Sequence, residues 1–304
     1  MTPLRRLIAA ILMLAMQGCA TVGGTAPGSV ADGLRAQGVV ELPIEIRQGH
    51  VLVAGRVNGR PGRFMLDSGT PFRFFLNRGV VPLAVGPEVG RGRAGSGQAI
   101  VVHEALDLAS LQLAGHAELA AAHGAPVSGV RAADFSFLQP LIPDFLGFVG
   151  APWLAGQVFS LRFAPAQMLL ADAGQADRLL QGSARVTLVR FEGQDGPLPY
   201  ATFQLGPINL RALFDTGNPG TLQLTADTHA RLVQAGALRC MAGSPVTCLP
   251  QGLRHGPQVL DAAPLPLTIG ADNRIVLGTA LLQRYVSVWN LRDGTVDLRR
   301  ALSP

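Results

Sequence analysis

Two aspartates occur in matching surroundings in separate halves of the chain. The first lies in Arg63-Phe64-Met65-Leu66-Asp67-Ser68-Gly69-Thr70-Pro71, the second in Arg211-Ala212-Leu213-Phe214-Asp215-Thr216-Gly217-Asn218-Pro219. Two carboxylates held close together cannot both ionise easily, so one keeps a proton while its partner stays charged. Such a pair can take a proton from a water and give one to a carbonyl oxygen, which splits an amide without a metal or a covalent intermediate. The proton belongs to the pair, so neither Asp67 nor Asp215 is assigned a fixed role as acid or base. The following residues suit this chemistry. Gly69 and Gly217 permit a turn and leave a backbone N–H to bond a carboxylate, and the hydroxyl of Ser68 or Thr216 can bond across to the opposite loop. A single Asp-Thr-Gly would read as a polar turn; its duplication argues against that.

The elements that must position these residues are duplicated too. Each Asp directly follows an apolar strand, at the point where the chain turns. Downstream, Phe148-Val149-Gly150-Ala151-Pro152-Trp153-Leu154 matches Val276-Leu277-Gly278-Thr279-Ala280-Leu281-Leu282, with two apolar residues, a Gly and a short helical stretch. A strand, a turn and a second strand follow each block without a gap in the alignment: 158–163 then 167–170, and 286–290 then 295–298. Upstream lie alternating segments at 40–46 and 51–57 in the first half and at 186–191 and 200–205 in the second. Helix is expected only in stretches such as 226–235, where Leu232 and Val233 would cover a sheet edge. Trp153 and Trp289 read as core packing.

These blocks resemble the active-site loops of the aspartic peptidases of the pepsin and retropepsin type, over roughly residues 40–304. Asp67-Ser68-Gly69-Thr70 and Asp215-Thr216-Gly217 match the family's catalytic loops, and Val149-Gly150 and Leu277-Gly278 match its apolar-apolar-Gly element. The resemblance implies an all-β, bilobal acid-protease fold, with lobes at 39–178 and 179–304, one catalytic aspartate per lobe and a substrate cleft between them. It also implies a hairpin flap, for which the Gly-rich run 90–98 with Gly95, Ser96 and Gly97 is the candidate; an ordinary hairpin would need no substrate. Ser68, Gly69, Thr70, Thr216, Gly217 and Asn218 become support for the active-site loops. The implied activity is endopeptidase cleavage of a peptide or protein by a water held between Asp67 and Asp215, with no cofactor and no metal. Both lobes lie in one chain, so a monomer suffices. The alternative is a module that grips extended peptide in the same cleft without cutting it. Asn218 departs from the Ser, Thr or Ala usual at its position, which predicts different hydrogen bonding for the second carboxylate.

The N-terminus reads as an export signal. Arg5 and Arg6 form a basic region, and 7–16 is an apolar stretch too short to span a bilayer. It runs into Gln17-Gly18-Cys19-Ala20, which resembles the bacterial lipoprotein cleavage box: residues 1–18 would be removed, Cys19 lipidated, and 19–38 would form a flexible tether. Ala20 after the Cys favours, by resemblance, outer-membrane sorting on the periplasmic side; ordinary secretory cleavage nearby is the alternative. Lipidation also resolves an odd cysteine count, leaving Cys240 and Cys248 to close a small loop as a disulfide or to stay as two free buried thiols.

Composition narrows the remaining classes. The 304 residues are 48% hydrophobic and 15% charged, with 37 Gly and 22 Pro, which suits many short strands and turns. The net charge of +5 comes from scattered arginines without interleaved aromatics, which disfavours nucleic-acid binding. His50, His103, His116, His123, His229 and His255 show no paired zinc spacing, and His255, the one His near the two cysteines in sequence, lacks it as well. Neither a Gly-x-Ser-x-Gly elbow nor a phosphate loop is present.

Overall fold

The computed structural model describes residues 38–119, 127–179, 183–193, 198–241, 248–250, 252–261, 266–270 and 273–301. The leader, Cys19 and all of the expected tether except Gly38 lie outside the described residues. The fold is mostly β, with 52% of residues in strands against 11% in helices, so the all-β expectation holds. No helix among the described residues is long and apolar enough to cross a membrane.

The two halves repeat one sheet plan. In the first, the strand order Val130–Ala133, Phe74–Asn77, Phe145–Gly150, Arg60–Asp67, His50–Val57 forms the centre of a larger sheet. In the second, Leu267–Ile269, Leu222–Leu224, Val276–Leu277, Ile208–Phe214, Tyr200–Leu205 take the same places. Even the directions agree. The third strand of each series runs parallel to the aspartate-bearing strand and antiparallel to the second strand, which is itself parallel to the first. Each aspartate-bearing strand is central, and the residues leading into Asp67 and Asp215 are buried on both faces, which is why Phe64-Met65-Leu66 and Ala212-Leu213-Phe214 read as apolar runs. Asn58 and Gly59, both at positive φ, form the two-residue turn that joins His50–Val57 to the Asp67 strand, a turn type that suits Asn-Gly.

A third sheet joins the halves. Its six strands run Val39–Leu42, Ala166–Ala171, Val158–Phe163, then Val286–Asn290, Thr295–Ala301, Ser183–Arg190. The first three come from one half and the last three are their counterparts in reverse order, so an approximate twofold axis passes between Val158–Phe163 and Val286–Asn290. Phe159 and Trp289 pair across that seam and stack with centroids 5.6 Å apart. Both are buried, as is Trp153, in line with their reading as core. Complete burial of one such side chain stabilises a fold by roughly 1.5–3 kcal/mol, so the seam is held by apolar packing as well as by backbone pairing.

Two expectations need correction. The segment at 40–46 is not one strand: it breaks at Pro43, which has no N–H for a ladder, so that Val39–Leu42 enters the joining sheet and Ile44–Arg47 pairs with His50–Val57. The helix Ala226–Gln234 buries Leu232 but exposes Val233, because adjacent helical residues lie about 100° apart and only one of them can face the core.

Candidate active site

The apolar-apolar-Gly blocks act as backstops for the aspartate loops. Gly150 pairs with Asp67 in the parallel ladder, donates its N–H to the Arg73 carbonyl at 3.1 Å, and is followed by Ala151, whose N–H reaches the Thr70 carbonyl at 2.9 Å. In the second half Gly278 donates to the Thr221 carbonyl at 3.1 Å and Thr279 to the Asn218 carbonyl at 2.8 Å. A Cβ on Gly150 would collide with the carbonyl oxygens of Phe72 and Thr70, and one on Gly278 with those of Gly220 and Asn218. Close backbone approach is thus the reason each half carries Gly there.

The two loops then grip each other. The Ser68 N–H donates to Thr216 Oγ1 and the Thr216 N–H to Ser68 Oγ, both at 3.0 Å, while Ser68 Oγ donates to the Phe214 carbonyl at 2.7 Å and Thr216 Oγ1 to the Leu66 carbonyl at 2.9 Å. Both side chains are buried, so all four bonds are shielded from water and the expected bond across the loops is reciprocal. Thr216→Val keeps the shape but leaves the Ser68 N–H and the Leu66 carbonyl without this partner. It is expected to lower unfolding free energy by about 1–3 kcal/mol, measurable by urea denaturation.

This grip sets Asp67 and Asp215 against the facing loops, so that a Cβ on Gly69 would stand 2.6 Å from Asp215 Oδ2 and one on Gly217 2.6 Å from Asp67 Cγ. The Gly69 N–H donates to Asp67 Oδ1 and the Gly217 N–H to Asp215 Oδ1, each at 2.8 Å. Both aspartates keep some accessible surface, as a site that admits water must, although protein atoms crowd the Asp215 carboxyl closely. That crowding, the neighbouring Asp67 charge and the bond to Asp67 raise Asp215 well above the usual carboxylate range, against the opposing pull of the Gly217 N–H and Arg274.

The pair is not symmetric. Thr70 Oγ1 donates to Asp67 Oδ2 at 2.7 Å. Asn218 holds the equivalent position, but its Nδ2 donates to Gln223 at 3.1 Å and its Oδ1 accepts the Gly220 N–H at 2.8 Å. Asp67 therefore gains an outer hydroxyl donor of a kind that Asn218 cannot offer Asp215. Asp215, raised and without such a hydroxyl, holds a proton into less acid solution than an ordinary carboxyl does. Asn218→Thr, by offering Asp215 the missing hydroxyl, is expected to move the alkaline limb of the pH–activity profile to lower pH; an unmoved limb would count against this asymmetry.

The sequence singled out none of the histidines, yet His50 belongs to this site. It is buried, with Nδ1 3.2 Å from the Gly217 carbonyl oxygen, and the preceding Gly49 carbonyl accepts the Thr279 hydroxyl at 2.6 Å. Burial lowers its pKa, against the Gly217 carbonyl and the Asp67 charge. The turn ahead of His50–Val57 thus fastens the first half to the Asp215 loop. No motif signals this, because the contact joins residues distant in sequence.

No protein-family model matches the chain, and no curated protein matches it significantly. The site is therefore assigned from its own geometry.

The glycine-rich run lies in a hairpin. Residues 90–93 are themselves strand, part of Val85–Arg93, and the partner strand is Ala99–Ala105. The hairpin tip closes through Ala94 N–H to the Gln98 carbonyl at 2.9 Å and Gly97 N–H to the Ala94 carbonyl at 2.8 Å. Gly90, Gly92 and Gly95 have open space where a Cβ would stand, so packing does not demand glycine there, and Gly95, Ser96 and Gly97 belong to the tip. Ile100, Val102 and Ala94 pack on a cluster containing Phe75, Phe135 and Phe145, which Phe72 and Phe148 flank while partly exposed. These rings meet mainly edge to face.

Cys240 and Cys248 are disulfide-bonded, which decides between the two alternatives left by the sequence. His255 is not their neighbour: its Nδ1 lies 3.1 Å from the Thr202 carbonyl. His229, from the helix, stands beside them instead. A surface hollow on the second half, lined by Arg211, Asp227 and Arg274 among others, includes neither Asp67 nor Asp215.

Proposed function

We propose that this chain is a bilobal aspartic endopeptidase of the pepsin and retropepsin type, acting through Asp67 and Asp215. The observation that carries this reading is two carboxyls, each held by the glycine N–H of its own copy of one loop and each packed against the glycine of the other copy. Asp67 takes a proton from a water held between the pair as that water attacks a peptide carbonyl. Asp215 gives its proton to the carbonyl oxygen; on collapse of the tetrahedral intermediate Asp67 passes its new proton to the amide nitrogen, the C–N bond breaks to release the amine, and Asp215 recovers a proton from the diol. Protein and ligand surroundings that exclude bulk water strengthen each of these transfers.

The hairpin Val85–Arg93/Ala99–Ala105 is proposed as the flap, and the partly buried Phe72 and Phe148 as an apolar shelf beside the Asp67 loop. Both carboxylates come from one chain, so the active species is a monomer. Export, with Cys19 lipidated and the protein tethered to the periplasmic face of the outer membrane, remains part of the proposal.

The test is calorimetric binding of a peptide whose scissile bond is replaced by a non-hydrolysable hydroxyl-bearing link of the statine kind. The hydroxyl takes the place of the attacking water, so wild type is expected to bind in acid solution and Asp67→Asn to bind at least about tenfold more weakly. Equal binding by both would favour a cleft that grips peptide without the paired carboxylates.

A further inference from the structure

The disulfide and the histidine beside it form a second constellation, independent of the aspartates. Its geometry follows from the local sequence. Thr225 caps the helix Ala226–Gln234, its hydroxyl accepting the Thr228 N–H at 3.1 Å. At the other end Gly236 takes a positive φ, its N–H reaching the Val233 carbonyl at 3.0 Å and the Ala237 N–H the Leu232 carbonyl at 2.9 Å. This glycine-dependent reversal turns the chain back, so that Leu238–Cys240 packs against the helix. His229 and Leu232, three residues apart, share one helical face; Leu232 fills the core while His229 meets the cysteines. Cys240 and Cys248 stand directly opposite each other in the antiparallel pair Leu238–Cys240 and Cys248–Pro250.

His229 Nε2 lies 3.4 Å from Cys248 Sγ and 4.0 Å from Cys240 Sγ. In a tetrahedral zinc site, with Zn–N of about 2.0 Å and Zn–S of about 2.3 Å, the N···S edge is about 3.5 Å and the S···S edge about 3.8 Å. The two N···S edges already bracket the required value. Only the S···S edge must open, from a bond to a contact, and reduction of the disulfide does that. We propose that His229, Cys240 and Cys248 form a soft-metal site for an ion such as Zn²⁺ or Cu⁺, closed by the disulfide and opened by a dithiol reductant. In the opening step the dithiol supplies two electrons and two protons, its own sulfurs join as a disulfide, and Cys240 and Cys248 become thiols. Metal binding then displaces the two thiol protons, with a water or another small ligand completing the tetrahedron. Disulfide and metal exclude each other, because both use the same sulfur lone pairs.

The probe is Co²⁺, which reports tetrahedral thiolate coordination by its visible and charge-transfer absorption, added to the full chain bearing Cys19→Ser so that only the pair contributes thiols. The expected result is one Co²⁺ per chain after reduction and none before it, displacement by Zn²⁺, and loss of the thiolate spectrum in Cys240→Ser. His229→Ala, a change at a partly exposed helical position, is expected to weaken binding by about tenfold or more. Bound Zn²⁺ is also expected to slow re-formation of the disulfide on exposure to oxidant, read by thiol titration. Absence of stoichiometric binding by the reduced chain, or equal affinity in His229→Ala, would overturn the proposal. So would a reduced chain that loses its native circular dichroism and binds no metal.

Discussion

Asp67→Asn and Asp215→Asn are each expected to lower peptide hydrolysis by about 10³-fold or more while leaving the fold in place, since the amide keeps the size of the carboxyl and can still accept the glycine N–H at its oxygen. The two variants should differ in stability. Asp215 has a raised pKa in the folded protein, chiefly because of burial and then because of Asp67. Its contribution to stability is therefore fully present below the ordinary carboxylate pKa and lost as pH rises through the raised folded value, where the folded state binds more protons than the unfolded one. Asp215→Asn removes that loss. The variant is expected to unfold at a higher temperature than wild type near neutral pH, with the gap closing in acid. A variant of equal or lower stability at neutral pH would contradict the raised pKa of Asp215.

Gly69→Ala and Gly217→Ala should be nearly as damaging to activity, for a different reason. A Cβ on Gly69 would stand 2.6 Å from Asp215 Oδ2, and one on Gly217 would stand 2.6 Å from Asp67 Cγ. Each added methyl would push the opposing carboxyl away, while its own loop keeps its Asp. Displacement of a reacting group by about 1 Å costs about 10²-fold in rate, so a loss of that order in kcat is expected for both, with little change in KM for a substrate held mainly by its side chains. The structural meaning of the Asp-Ser/Thr-Gly pattern is then reciprocal: each glycine makes room for the other half's carboxyl. Unaltered turnover in both variants would show that the carboxyls do not work at the separation described here.

How much of this was legible in the residues varies by element. The strands leading into Asp67 and Asp215 announce themselves as apolar runs ending in a turn, and the repeated Gly150 and Gly278 mark a close backbone approach that the structure then shows between carbonyls. The reciprocal bonds of Ser68 and Thr216 follow from residue type once the loops face each other. What was hidden depends on contacts distant in sequence. His50 touches Gly217 across the seam, and His229 meets two cysteines through a chain reversal at Gly236; no spacing rule covers either. The turning away of Asn218 is likewise a competition among Gly220, Gln223 and Asp215 that residue type alone does not decide. Pro43 could have been used to split the first alternating segment, since a proline inside a ladder is a break signal.

The most direct test of the central claim is digestion of an unbiased peptide mixture by the mature protein across pH, in water enriched in ¹⁸O, with products read by mass spectrometry. Cleavage at internal bonds in acid solution is expected, with solvent oxygen in each new carboxyl, no covalent enzyme adduct, and a fall in rate as pH rises through the raised Asp215 value. Absence of cleavage at every pH, with peptides still bound, would contradict that claim and leave the cleft as a peptide-gripping site.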